Sequence, residues 1–63
     1  MMELNVIKSV TVGENYAAFL ERDGRFGVAQ KNGDDVKLCF YDSQDLASEV
    51  FDVVAEEILN RGT

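Results

Sequence analysis

Apolar and polar residues alternate in short runs over the first two-thirds of the chain and recur with a helical period over the last third. Four runs precede the change: Leu4 to Val12, Asn15 to Arg22, Arg25 to Lys31 and Val36 to Tyr41. They are rich in the β-branched and aromatic residues that fit a pleated surface. Turn chemistry separates them. Gly13-Glu14 is a Gly-X pair suited to a type II′ hairpin turn, and Asp23-Gly24 suits a type I′ turn, whose two central residues both need positive φ. Asn32-Gly33-Asp34-Asp35 is a longer cluster of the same kind. The pattern predicts an α+β fold over residues 1–63 as one domain. Four antiparallel strands in a meander (about 4–12, 15–22, 25–31 and 36–41) pack on one C-terminal helix (about 43–61).

Counting back from the two-residue turns sets the register: Val12 opposite Asn15, Val10 opposite Ala17, Lys8 opposite Phe19, Arg22 opposite Arg25 and Phe19 opposite Val28. The face turned to the helix is then expected to carry Val6, Val10, Val12, Ala17, Phe19, Phe26 and Val28, continued by Val36, Leu38 and Phe40 of the fourth run. Ile7, Ser9, Tyr16, Ala18, Leu20, Arg22, Arg25, Gly27, Ala29, Lys31, Lys37, Cys39 and Tyr41 are expected on the outer face. That surface mixes bases, small residues and exposed apolar ones, which favours burial against another protein.

The helix is expected to start at Asp42 or Ser43, both good N-caps, and to stop at Arg61-Gly62, a last-turn cation followed by a C′ glycine. Leu46, Ala47, Val50, Phe51, Val53, Val54 and Ile58 project over an arc of about 160°, wider than one small sheet needs. Leu46, Val50, Val53 and Val54 are expected to hold the helix to the sheet. Glu57 falls inside the arc and Leu59 outside it, so part of the helix is expected to meet a second protomer. Lys8 and Glu57, at nominally inward positions, are expected at the margin of the core with their charges in solvent or paired, Glu57 with Arg61.

Length sharpens this picture. A chain of 63 residues buries only about 60% of the surface it exposes when unfolded, and so small a domain usually needs a disulfide, a metal or self-association. A single cysteine, Cys39, and no histidine exclude an internal disulfide and a zinc set, which leaves homo-oligomerisation as the expected support. The start, Met1-Met2-Glu3-Leu4-Asn5, has no basic and apolar signal pattern, and no apolar run nears the length of a membrane span. A cytoplasmic setting away from membranes is expected.

Charge is the next discriminator. Residues 1–41 hold six acids and five bases, whereas residues 42–63 hold six acids and one base, Arg61. The molecule is therefore expected to be electrically two-sided. Within the helix, Asp45, Glu49, Asp52 and Glu56 fall at i, i+4, i+7 and i+11, a single row. A row of this kind is either the solvated face of an amphipathic helix or a surface kept for a basic partner. One helical turn rises about 5.4 Å, of the same order as the charge spacing of DNA, so the row is a candidate mimic of nucleic-acid phosphates. The opposite reading uses the outer sheet face: Tyr16 and Tyr41 stacking bases, with Arg22, Arg25, Lys31 and Lys37 on phosphates.

Catalytic chemistry is not in view. The chain has no histidine, no Gly-rich phosphate loop and no serine elbow. Nothing beside Cys39 would activate a thiol, and Asp34, Asp35 and Asp42 lack the spacing of a calcium loop. No cofactor or metal is expected.

The element order ββββα over residues 4–61 resembles the single-strand-binding modules of the PC4-like group. The resemblance rests on element order and lengths, and it implies dimers paired through the helix and a nucleic-acid face on the sheet. Those modules are basic at the binding face, whereas this chain is acidic and has Asp34 and Asp35 in its long loop. The leading expectation is therefore a small acidic, non-enzymatic binding protein, an inhibitor or adaptor of the kind carried by phages and mobile elements. Its helix row of Asp45, Glu49, Asp52 and Glu56 would contact a basic protein surface, with single-strand binding as the alternative.

Overall fold

The computed structural model describes residues 4–61 and has the expected ββββα order. Strands β1 (Asn5–Val12), β2 (Asn15–Arg22), β3 (Arg25–Asn32) and β4 (Asp35–Tyr41) form one antiparallel sheet in sequence order, and helix α1 (Gln44–Arg61) covers one of its faces. Two-residue turns make all three connections. At the β2–β3 turn both central residues have positive φ, 53° for Asp23 and 82° for Gly24, as a type I′ turn demands. At the β3–β4 turn only Gly33 does, at 64°, the Gly-X arrangement of a type II′ turn.

The register of the first two hairpins agrees with the count made from their turns. Val12 faces Asn15, Val10 faces Ala17 and Lys8 faces Phe19, while Arg22 faces Arg25 and Phe19 faces Val28. Two departures follow. Between Val6 and Lys8 the ladder shifts: Ile7 is the extra residue of a bulge, and Val6 lies opposite Leu20 on the outer face rather than under the helix. In β4, the tight Gly33-Asp34 turn sets Asn32 opposite Asp35, so Lys37 faces Gln30, Cys39 faces Val28 and Tyr41 faces Phe26 on the helix side. Val36, Leu38 and Phe40 therefore lie on the outer face, opposite Lys31, Ala29 and Gly27. The expectation for this strand was inverted, because a one-residue change of register moves every side chain to the other face.

The core lies between the helix and the two central strands. Ala17, Phe19 and Val28 of the sheet and Ala47, Phe51 and Ile58 of the helix are buried together, with Val10, Val12, Phe26, Tyr41, Val50, Val54 and Ala55 packed around them. Phe19 stacks on Phe26 with ring centroids 5.8 Å apart and meets the tilted ring of Phe51 at 6.2 Å. Each such buried side chain stabilises the fold by about 1.5–3 kcal/mol before entropy is counted. The helix is thus held by Ala47, Phe51 and Ile58, with Val50 and Val54 of the four residues expected packed at the margin and the other two turned to solvent. Leu46 and Val53 are exposed, and Val50 and Val54 are half-buried.

Ser43 caps the helix. Its Oγ accepts a hydrogen bond from the Leu46 N–H at 3.0 Å, and its carbonyl accepts one from the Ala47 N–H at 3.1 Å. Ser43→Ala is expected to cost about 1 kcal/mol. Since m is about 1 kcal/mol/M in urea for the smallest domains, the midpoint should fall by about 1 M. An unchanged midpoint would mean that Asp42 takes over the cap. The glycine expected to follow the helix, Gly62, lies outside the described residues.

Candidate interaction surfaces

Two faces remain after the core is closed, and they differ in charge. On α1, Asp45, Glu49, Asp52 and Glu56 are all exposed, projecting to the side of the helix opposite Ala47, Phe51 and Ile58. Asp52 is the exception within the row. Its Oδ1 lies 4.0 Å from the Lys8 Nζ, and the same ammonium sits 5.7 Å from the Phe19 ring centroid and 5.5 Å from that of Phe51. Lys8 thus closes the β1 margin of the core with its ammonium over two rings and its side chain half in water. The pair with Asp52 is exposed and contributes little, but it sets Asp52 apart from the three outward carboxylates.

Beside the acidic row runs a second apolar one. Leu46, Val50, Val53 and Val54, with Glu49, line a shallow hollow along the helix flank, and Leu46 and Val53 are 46% and 56% exposed. Glu57, also exposed, falls on this flank by helical projection. The wide apolar arc read from the sequence therefore divides in two: one part meets the sheet and the other meets solvent.

The outer sheet face is organised in cross-strand rows. Arg22 and Arg25 form the row at the β2–β3 turn; next come Val6, Leu20, Gly27 and Phe40; then Ser9, Ala18, Ala29 and Leu38; and at the far end Thr11, Tyr16, Lys31 and Val36. Ala18 and Leu20 are 1% and 2% exposed although no helix covers them. The flanking rows screen them, with the Phe40 ring lying over Gly27 beside Leu20. Val6, Leu38 and Val36 stay open, at 51%, 46% and 70%. Arg22, Asp23, Arg25 and Phe40 line an open hollow at one end of this face. The strands place three bases and no acid on this face, since Glu21 and Asp35 point to the helix side, but Asp23 of the β2–β3 turn lies 3.9 Å from the Arg22 guanidinium.

The residues proposed for nucleic-acid contact are accordingly split. Tyr16, Arg22, Arg25 and Lys31 share the outer face, whereas Lys37 and Tyr41 lie on the opposite one, Tyr41 packed against the core. A single tyrosine at the sheet end is a poor stacking platform compared with several aromatics in sequence. Val36, Leu38 and Phe40, missed for this surface, were signalled by Gly33-Asp34, which is the same Gly-X turn as Gly13-Glu14 and fixes the register in the same way.

Cys39 is an exposed free thiol on the helix side of β4. Among the described residues no three metal-ligating side chains converge, and no helix is long and apolar enough to cross a membrane. No protein-family model, curated protein or solved structure matches this chain, which leaves the charge and exposure of its two faces as the guide to function.

Proposed function

We propose that this chain is a small acidic, non-enzymatic binding protein that presents the carboxylates of α1 to a basic surface on a protein partner. One observation carries the reading: Asp45, Glu49 and Glu56 stand exposed in a row on an 18-residue helix whose only base is Arg61, in its last turn. A rigid row of carboxylates needs little reorganisation to meet a row of Arg and Lys, and such complementarity gives specificity and a fast, salt-sensitive encounter. A surface built for nucleic-acid phosphates is the best-matched receptor. Size and charge segregation fit an inhibitor or adaptor of phage or mobile-element type, cytoplasmic and self-associating. The single-strand reading is weaker, since it loses Lys37 and Tyr41 to the other face.

Affinity capture with the immobilised chain tests the proposal, with duplex DNA as competitor. Proteins retained by the wild type, released by DNA and lost on Glu49→Lys/Glu56→Lys support it. Retention of the same proteins by both chains overturns it. Asp52 is left intact because of its contact with Lys8.

A further inference from the structure

The exposed large apolar residues fall mainly in two groups. Val6, Leu38 and Val36 lie on the outer sheet face, and Leu46 and Val53 lie on the flank of α1. The strands of the outer sheet face carry Arg22, Arg25 and Lys31 and no acid, with Asp23 in the β2–β3 turn 3.9 Å from Arg22 and the turn residues Glu14 and Asp34 beside Lys31, whereas the helix flank carries Glu49, Glu56 and Glu57 around its apolar pair. We infer that the outer sheet face of one copy receives helix α1 of a second copy, in a head-to-tail contact. This rests on the reading of α1 as a docking helix and adds a second copy of the chain as a further occupant of it.

Charge selects this arrangement over the symmetric ones. Two outer sheet faces packed on each other would oppose bases to bases, and two helices paired through Leu46 and Val53 would crowd Glu49, Glu56 and Glu57 of both copies. Helix on sheet instead brings opposite charges together.

The dimensions agree. Arg25 and Lys31 are six residues apart on β3, about 20 Å along a strand. A helix about 10–12 Å in diameter lies between them with both basic side chains leaning over it. Beneath it, the small residues Ser9, Ala18 and Ala29 form a shallow row between bulkier ones. Leu46 to Val53 spans about 10 Å along the helix, within the about 14 Å across four strands. Leu46 and Val53 then cover Leu38 and the small row, with Glu49 and Glu56 toward one cationic end and Glu57 toward the other. A standard contact of about 800 Å² per partner takes less than a fifth of the 4574 Å² surface. Because the two patches differ and lie on different sides of the molecule, a pair retains one free patch of each kind, the helix flank of one copy and the sheet face of the other. The contact therefore closes into a ring or grows as a filament, and does not stop at two.

Light scattering and sedimentation of the purified chain test this, over a range of concentration and salt. The wild type is expected to grow beyond a dimer with concentration and to dissociate as salt rises. Glu49→Lys/Glu56→Lys and Arg25→Glu/Lys31→Glu, all at exposed positions, should each remain monomeric where the wild type is assembled, with unchanged far-UV circular dichroism. Mixing the two variants restores opposite charges at both kinds of contact and should restore the large species. A helix variant that associates as well as the wild type would overturn the inference, as would mixed variants that stay apart. A wild type monomeric throughout also overturns it. None of these results touches capture of a separate basic protein, which decides the binding function independently.

Discussion

Phe51→Ala is expected to leave the chain largely unfolded at room temperature. Phe51 is 5% exposed, sits between the sheet and the helix against Phe19, and lies beneath the Lys8 ammonium. Truncating a buried phenylalanine costs about 3–5 kcal/mol through lost transfer energy and the cavity left behind. A single core in a domain under about 70–80 residues rarely supplies more than about 3–5 kcal/mol in total. The loss thus matches the whole margin. Far-UV circular dichroism should show the signal of the urea-unfolded chain at zero denaturant. Val53→Ala, on the same helix but 56% exposed, should change stability by no more than about 0.5 kcal/mol. A cooperative transition in the Phe51 variant with the wild-type midpoint would show that the helix is not held by this side chain.

Gly27→Ala should also destabilise, against the usual direction for glycine in a strand, where alanine gains about 0.5–1 kcal/mol. A Cβ at residue 27 would stand 2.8 Å from the Cys39 carbonyl oxygen and 2.9 Å from Cδ1 of Phe40. The ring can swing, since Phe40 is only half-buried. The carbonyl belongs to the paired strand and moves only if β3 and β4 separate. Overpacking of this kind costs about 1–3 kcal/mol, read as a fall in the urea midpoint. In a Phe40→Ala background the same substitution should still destabilise, because the backbone contact remains. A neutral or stabilising effect there would assign the whole cost to the ring.

These two positions mark how far the sequence could be read. Phe51 and its partners were legible, since helical spacing put Ala47, Phe51 and Ile58 on one face and turn counting put Phe19 opposite Val28. Gly27 and Phe40 were not seen as neighbours, because β4 was phased by hydrophobicity and its apolar set, Val36, Leu38 and Phe40, looked like a core face. Where both faces of a sheet carry apolar residues, alternation tells that a strand exists but not which side faces in; only the turn decides. Val6 was lost differently. The bulge at Ile7 follows no glycine or proline, so nothing local announced the shift. For the candidate site, the acidic row was readable because a helix of this length has a fixed period, and its four residues are all exposed. The apolar flank was expected to pack on the sheet, and the number of strands a helix can cover is a tertiary property that the helix's own residues do not encode. Helix contacts centre on β2 and β3, the two strands in the middle of the sheet.

The same bulge also bears on how this chain would aggregate. β1 and β4 are the edges of the sheet, and each offers backbone N–H and C=O groups to any incoming strand. At β1 the extra residue Ile7 breaks the even spacing of those groups, so a foreign strand cannot stay in step beyond it. β4 is regular over seven residues, with Val36, Leu38 and Phe40 alternating on one side. Only Asp35 and Lys37, on the other side, discourage pairing there. Amyloid-like growth under heat or concentration should therefore start at β4 and advance in one direction, with the β1 edge remaining closed.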